Sequence, residues 1–198
     1  MHVIKSEKTR QFIIEKTATL FNKKGYTGTY LSDLTDVTGL TKGSIYGNFK
    51  DKNEVAIEAF RFNYGQSAKK IAHEIQKVER ADQKLLAFFK YYKTEYPQFI
   101  EAGGCPILNT SIDSDDGNEA LKKEVTKALE YWKTGLVDII NQGIQKSELK
   151  EINAENFVFK IIAIIEGSIM MVKILSNPNI LLENIKSLEN EIKELTIN

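Results

Sequence analysis

Between Thr27 and Phe49 the chain reads Thr-Gly-Thr-Tyr-Leu-Ser-Asp-Leu-Thr-Asp-Val-Thr-Gly-Leu-Thr-Lys-Gly-Ser-Ile-Tyr-Gly-Asn-Phe, and no other segment constrains the fold as strongly. Leu31, Leu34 and Val37 fall three residues apart, which is one stripe of a short helix. Gly39 supplies a tight turn. Thr41 then opens a second helix as an N-cap, its side-chain oxygen accepting a backbone N–H that the helix itself leaves unpaired. Two short helices around a glycine turn form a helix-turn-helix, a unit that lays its second helix in the DNA major groove.

The rest of the chain also reads as helix. Only 3 prolines and 12 glycines interrupt 198 residues, and alternating strand patterns are lacking, so the expected class is all-α with about nine helices. A first helix is predicted from Glu7 to Lys24, capped by Ser6 and ended by Gly25, and the two short helices cover about 31–38 and 42–48. Asp51 and Glu54 form a capping box for a long helix to Lys77; Asp82 caps an aromatic-rich one to Ile100. Pro106 fits the first turn of a short helix to Ile112, and Asp116 with Glu119 looks like a further capping box. Asn153 caps a helix over 154–175 that is apolar around nearly its whole circumference, which calls for core on one side and a partner subunit on the other. After Asn177-Pro178, the positions Leu181, Ile185, Leu188, Ile192 and Leu195 make a four-three seam.

The net charge of zero conceals an asymmetry. Residues 1–50 hold eight lysines and arginines against four acidic residues, a head of +4 on a body of −4. A phosphate-contacting module joined to a module of other function has this polarity. A single cysteine excludes an internal disulfide framework and a multi-cysteine zinc site. The start, Met1-His2-Val3-Ile4-Lys5, has no signal-peptide core, and the apolar run from Ile161 to Leu175 is too short and too charged to span a bilayer. The expectation is a soluble cytoplasmic protein without a membrane partner. Enzyme signatures are weak. His73-Glu74 lacks the second histidine of a metalloprotease helix, and Ser44 in Gly43–Gly47 sits one place early for a nucleophile elbow. No catalytic residue, metal site or cofactor is expected.

The stretch from Thr9-Arg10 to Glu54 resembles the TetR/AcrR family of transcriptional regulators. The matching residues are Leu20-Phe21-Asn22-Lys23-Lys24-Gly25-Tyr26, Leu31-Ser32-Asp33-Leu34, Thr38-Gly39-Leu40-Thr41-Lys42-Gly43-Ser44-Ile45-Tyr46 and Asn48-Phe49-Lys50-Asp51-Lys52. Tyr30 and Asn48 depart from the residues common there, a small hydroxyl and a histidine. The resemblance implies a three-helix DNA-binding domain over residues 1–50 and a ligand-binding and dimerisation domain over 51–198. It implies a homodimer on a palindromic operator in double-stranded DNA, most often a repressor released by a small-molecule inducer.

Candidate residues follow. Lys42, Gly43, Ser44, Tyr46 and Asn48 belong to the second helix, where side chains reach bases and phosphates; Thr29, Thr41 and Lys52 are further phosphate candidates. Leu34, Val37, Leu40, Ile45 and Phe49 are assigned to the small core of the head. Phe88, Tyr92, Phe99, Cys105, Leu108, Trp132, Leu136 and Met170 are candidates to line an apolar ligand pocket, with core packing as the competing reading for each. The expected dimer face holds Ile161, Ile165, Ser168 and Val172 on one helix and Ile185, Leu188 and Ile192 on the next. Two other readings stay open: a redox or electrophile sensor acting through the thiol of Cys105, and a small-molecule-binding protein that has lost DNA binding.

Overall fold

A computed structural model describes residues 2–197; the side chains of residues 1–5, including Lys5 of the basic excess, lie outside the described residues, as does Asn198. Nine helices and no strand occur among the described residues: α1 (His2–Lys24), α2 (Leu31–Thr38), α3 (Lys42–Tyr46), α4 (Lys52–Ile75), α5 (Ala81–Glu101), α6 (Pro106–Ser114), α7 (Glu119–Gln145), α8 (Ala154–Leu175) and α9 (Asn179–Leu195). None is long and apolar enough to cross a membrane.

The contacts divide the chain into two units, Met1–Gln66 with Ala102–Ala128, and Ser67–Glu101 with Leu129–Asn198. The first unit is larger than the expected head of 50 residues. Its core joins Ile13, Ile14, Ala18 and Phe21 of α1 to Leu34, Ile45, Phe49, Val55, Ala56 and Ala59, and it also takes in Leu121 from α7. Leu34, Ile45 and Phe49 are buried as expected, but Val37 is 39% exposed on the outer side of α2 and Leu40 is half-buried. Polar contacts tie α7 in as well. Arg61 Nε donates to Glu124 Oε2 at 2.9 Å, and Asn118 Nδ2 donates to Asn53 Oδ1 at 2.8 Å.

Several helix starts differ from the sequence reading. α1 begins before Ser6, so Ser6 is not its cap. α7 is capped by Asn118, whose Oδ1 accepts the Leu121 N–H, and the Asp116–Glu119 box does not form. Asn outcompetes because it directly precedes the first helical residue, where a cap must stand. Asp51 Oδ1 accepts the Glu54 N–H at 2.9 Å, but Glu54 reaches back to Lys50 N–H rather than to the cap residue. Asn153 caps α8 as expected, accepting from Asn156 N–H at 2.9 Å.

In the second unit, α9 packs on α8 and α5, and α5 on α8. Leu85, Phe88 and Phe89 of α5, Val158, Ile161 and Ile165 of α8, and Leu181, Ile185, Leu188 and Ile192 of α9 are each 0% exposed. Gly143 on α7 is there for space: a Cβ would lie 2.5 Å from Ala81 Cβ and 2.8 Å from Leu149 Cδ1. The chain end is pinned by Lys150 N–H to Leu195 O at 2.8 Å and Ile197 N–H to Glu148 O at 3.0 Å.

The Glu124 carboxyl, hydrogen-bonded by Arg61 and then Lys127, is lowered from 4.5 to about 2. A depressed folded value means that the ion pair stabilises fully above about 4.5 and is lost as the pH falls toward 2. Glu124→Gln is therefore expected to lower stability by about 1 kcal/mol at pH 7, given that Arg61 is half exposed. Urea unfolding should show the gap to wild type closing between pH 4.5 and 2.

Candidate nucleic-acid interface

α3 has five residues, far too few for a helix to persist in water by itself. Its shape is imposed from outside. Gly39 ends α2 in the left-handed region (φ 68°), where only glycine is unstrained, and its N–H closes on Thr35 O at 2.8 Å. Thr41 Oγ1 accepts the Ser44 N–H at 3.2 Å. Ile45 and Phe49 anchor the far side in the core. Arg10 of α1 closes the assembly: Nη1 donates to Asn48 O at 2.6 Å, Nη2 pairs with Glu54 Oε1 at 2.7 Å, and the guanidinium lies 4.1 Å from the Phe49 ring centroid. Glu54 in turn accepts the Lys50 N–H, and this bond and then Arg10 hold its carboxyl below the usual carboxylate range.

Thr41, Lys42 and Gly43 face solvent at the start of α3, and Ser44, Tyr46 and Asn48 are half-buried. A Cβ at Gly43 would meet only Thr41 Oγ1, at 3.9 Å. Nothing in the chain needs a glycine there, and a glycine inside a helix costs about 1 kcal/mol relative to alanine. The backbone at Gly43 is left bare toward solvent. Burial, then Asp51 and Tyr26, push the Tyr46 phenol above its ordinary value, which keeps it a neutral donor.

Three candidates turn out to be at least partly internal. Thr29 is 0% exposed and its hydroxyl donates to Gly25 O at 2.6 Å, so its side chain is not a phosphate contact. Lys52 Nζ donates to both Tyr26 O and Thr29 O at 2.9 Å and lies 4.1 Å from the Tyr26 ring centroid; it clamps the turn before α2 and keeps at most one N–H for a phosphate. Asn48 uses its side chain to receive the Ser6 hydroxyl at 3.0 Å and to bond Ser44 O at 2.9 Å, so the departure from the family pattern is absorbed by a brace across the end of α3.

The same turn is held from α6. Asn22 Nδ2 donates to Ala102 O at 2.8 Å and Gly104 O at 2.9 Å, and Asn109 Nδ2 donates back to Asn22 O at 3.0 Å. Asp113 Oδ2 accepts the N–H groups of Tyr26 and Thr27. These partners lie 80 or more residues apart. Spacing along the chain gives no sign of such pairs, which is why the sequence reading missed them.

In the second unit Tyr92 stacks on Phe99 (centroids 5.6 Å, 9°) and on Trp132 (6.2 Å, 21°), with Phe88 edge-on to Tyr92 at 5.1 Å. Four of the pocket candidates thus form one cluster, and Leu136 is buried. Met170 is 47% exposed on the outer side of α8 and does not line an interior pocket. Cys105 and Leu108 belong to the first unit, with Cys105 at the N-cap of α6 and only 6% exposed. Such burial withholds the access that a sensor thiol needs.

The dimer-face residues need correction. Ile161, Ile165, Ser168, Ile185, Leu188 and Ile192 are 0% exposed and Val172 is 4% exposed within a single chain. Ser168 is bonded internally, its hydroxyl accepting from Asn184 Nδ2 at 2.9 Å. The four-three seam of α9 is used up by its own protomer. The exposed apolar residues of α8 are Phe159 (49%), Ala163, Met170 (47%), Ile174 (71%) and Leu175 (62%), the first four spaced 4, 7 and 4.

Residues 13–59 match the family model for bacterial regulatory proteins of the tetR family, and residues 81–188 match the tetracyclin repressor-like C-terminal domain. A TetR-family transcriptional regulator from Cytophaga hutchinsonii is 40% identical, with TM-score 0.91 over 98% of both chains. An HTH-type transcriptional regulator in the lacX 3' region of Lactococcus lactis is 27% identical over 98% of both chains, and the repressor DhaR of Mycobacterium sp. strain GP1 is 25% identical over 85% of this chain and 84% of its own. The matched N-terminal helix-turn-helix and C-terminal helical domain define a transcriptional regulator of the DNA-binding type, not an enzyme. The chain belongs to the TetR family.

Asp113→Ala is expected to leave the part-buried Tyr26 N–H without its acceptor, the exposed Thr27 N–H turning to water, and to cost about 1–2 kcal/mol. Urea unfolding checks this: the midpoint should fall with the slope unchanged.

Proposed function

We propose that the chain is a ligand-responsive repressor. Two copies sit on a palindromic operator through their first units, and a small apolar or amphipathic molecule taken up by the second unit lowers that affinity. The observation that carries the reading is the exposed Lys42-Gly43 pair on a short helix braced from α1, α2 and α4. The backbone at Gly43 is bare where the fold has room for a side chain, and the neighbouring ammonium has no partner among the described residues. Both features suit a helix end that meets base edges and phosphates. The name of the Mycobacterium relative supports the repressor sense. The aromatic cluster of Phe88, Tyr92, Phe99 and Trp132 supports an apolar inducer, since flat rings form the walls of many small-molecule sites. The reading places the protein in the cytoplasm with its DNA.

Homodimerisation is assigned to the outer face of α8. Phe159, Ala163, Met170 and Ile174 form the kind of exposed apolar surface that a partner covers. A second copy meets it with the same surface, as two-fold symmetry requires.

Two experiments test this. Gly43→Ala should leave thermal stability equal or slightly raised, because alanine is the better helix former. It should nevertheless weaken binding, in a gel shift, to a duplex selected by the wild-type protein from a random-sequence library. Unchanged binding would remove the close approach on which the reading rests. In sedimentation, Met170→Lys with Ile174→Lys should give a folded monomer, whereas Ile165→Lys with Leu188→Lys should unfold the second unit. A folded dimer in the first variant would displace the interface from α8.

A further inference from the structure

Tyr30 is 68% exposed, well above Phe12 and Val37 of the first three helices, and it stands at the N-cap of α2. Tyrosine is a poor choice there by the local rules. Its side chain makes no capping hydrogen bond to the helix, and a Ser, Thr, Asp or Asn would stabilise the helix start by about 1 kcal/mol. What holds this helix start comes from elsewhere. Asp33 Oδ2 accepts the Tyr30 N–H at 2.8 Å, and Lys24 pairs with Asp33 Oδ1 at 2.7 Å. These contacts fix the Tyr30 backbone and leave its ring pointing away from the core. A residue that breaks the capping rule, stays two-thirds exposed and has its backbone held in place points to a use outside the chain.

The surroundings say what meets it. The ammonium of Lys52 is fixed 2.9 Å from Thr29 O, the carbonyl of the peptide that leads into Tyr30. In a helix-turn-helix bound to DNA the first helix crosses the sugar-phosphate backbone while the second enters the groove. We propose that Tyr30 is a DNA-backbone contact: its phenol donates a hydrogen bond to a phosphate beside the half-site, and its ring covers the adjoining deoxyribose. The proposal rests on the DNA-binding reading of the first unit and extends the interface beyond the recognition helix. Such a contact fixes the register of the head on the duplex without reading a base.

Tyr30→Ala, Tyr30→Phe and Lys42→Ala separate the possibilities. Affinity is measured by fluorescence anisotropy, across a salt series, for the selected duplex and for a scrambled one. Tyr30→Ala should weaken binding to both duplexes about tenfold, the loss of one bond to a charged group. Tyr30→Phe should lose the hydroxyl's share of that. The salt slope should match wild type in both, because a neutral phenol displaces no counterion, whereas Lys42→Ala should reduce it. An exposed side chain should leave the melting temperature in place; if Tyr30→Ala melts early, Tyr30→Phe, which keeps the ring, decides. Tyr30 variants within twofold of wild type beside a Lys42→Ala that fails to bind would overturn the proposal, as would a changed base preference. Wild-type affinity in all three variants would instead overturn the DNA-binding assignment of the head.

Discussion

The contact on which the first unit depends is the guanidinium of Arg10. A helix of five residues has no stability of its own, and α3 exists because its two ends are tied to longer elements. Thr41 secures the start. Arg10 secures the end by holding Asn48 O, Glu54 and the Phe49 ring at once, and Asn48 is braced again by Ser6 and against Ser44. Presentation of Lys42 and Gly43 in a single geometry follows from that closure. A binding surface built this way gives up little conformational entropy when it meets its partner.

A second brace gives the unit its unexpected extent. Asn22, Asn109 and Asp113 bind α6 to the end of α1 and to the turn before α2, and Leu121 of α7 enters the same core. The DNA-binding head is thus not a free-standing set of three helices. Asp113 of α6 holds the turn between α1 and α2 through two hydrogen bonds, from Tyr26 and Thr27 N–H.

The helices themselves were largely legible, because caps and apolar periodicity are local signals: Asn153, Pro106 and Gly39 each do what their type and position suggest. Roles set by distant partners were not. Lys52 and Thr29 looked like phosphate ligands from their place near helix starts, yet Lys52 bonds carbonyls 23 and 26 residues back and Thr29 is enclosed. The seam of α9 announced an apolar face but not its owner, and that face meets α8 and α5 of the same chain. Periodicity tells which side of a helix is buried; only the packing tells against what.

The central claim is that the tip of α3 and the start of α2 meet DNA as one preformed surface. Amide NMR of the isotopically labelled protein, titrated with its selected duplex, tests it most directly. The account predicts shifts concentrated at Tyr30 and Thr41–Tyr46, with the amides around Arg10 and Asn48 unmoved. Shifts spread through the Arg10 brace, or confined to the second unit, would contradict it.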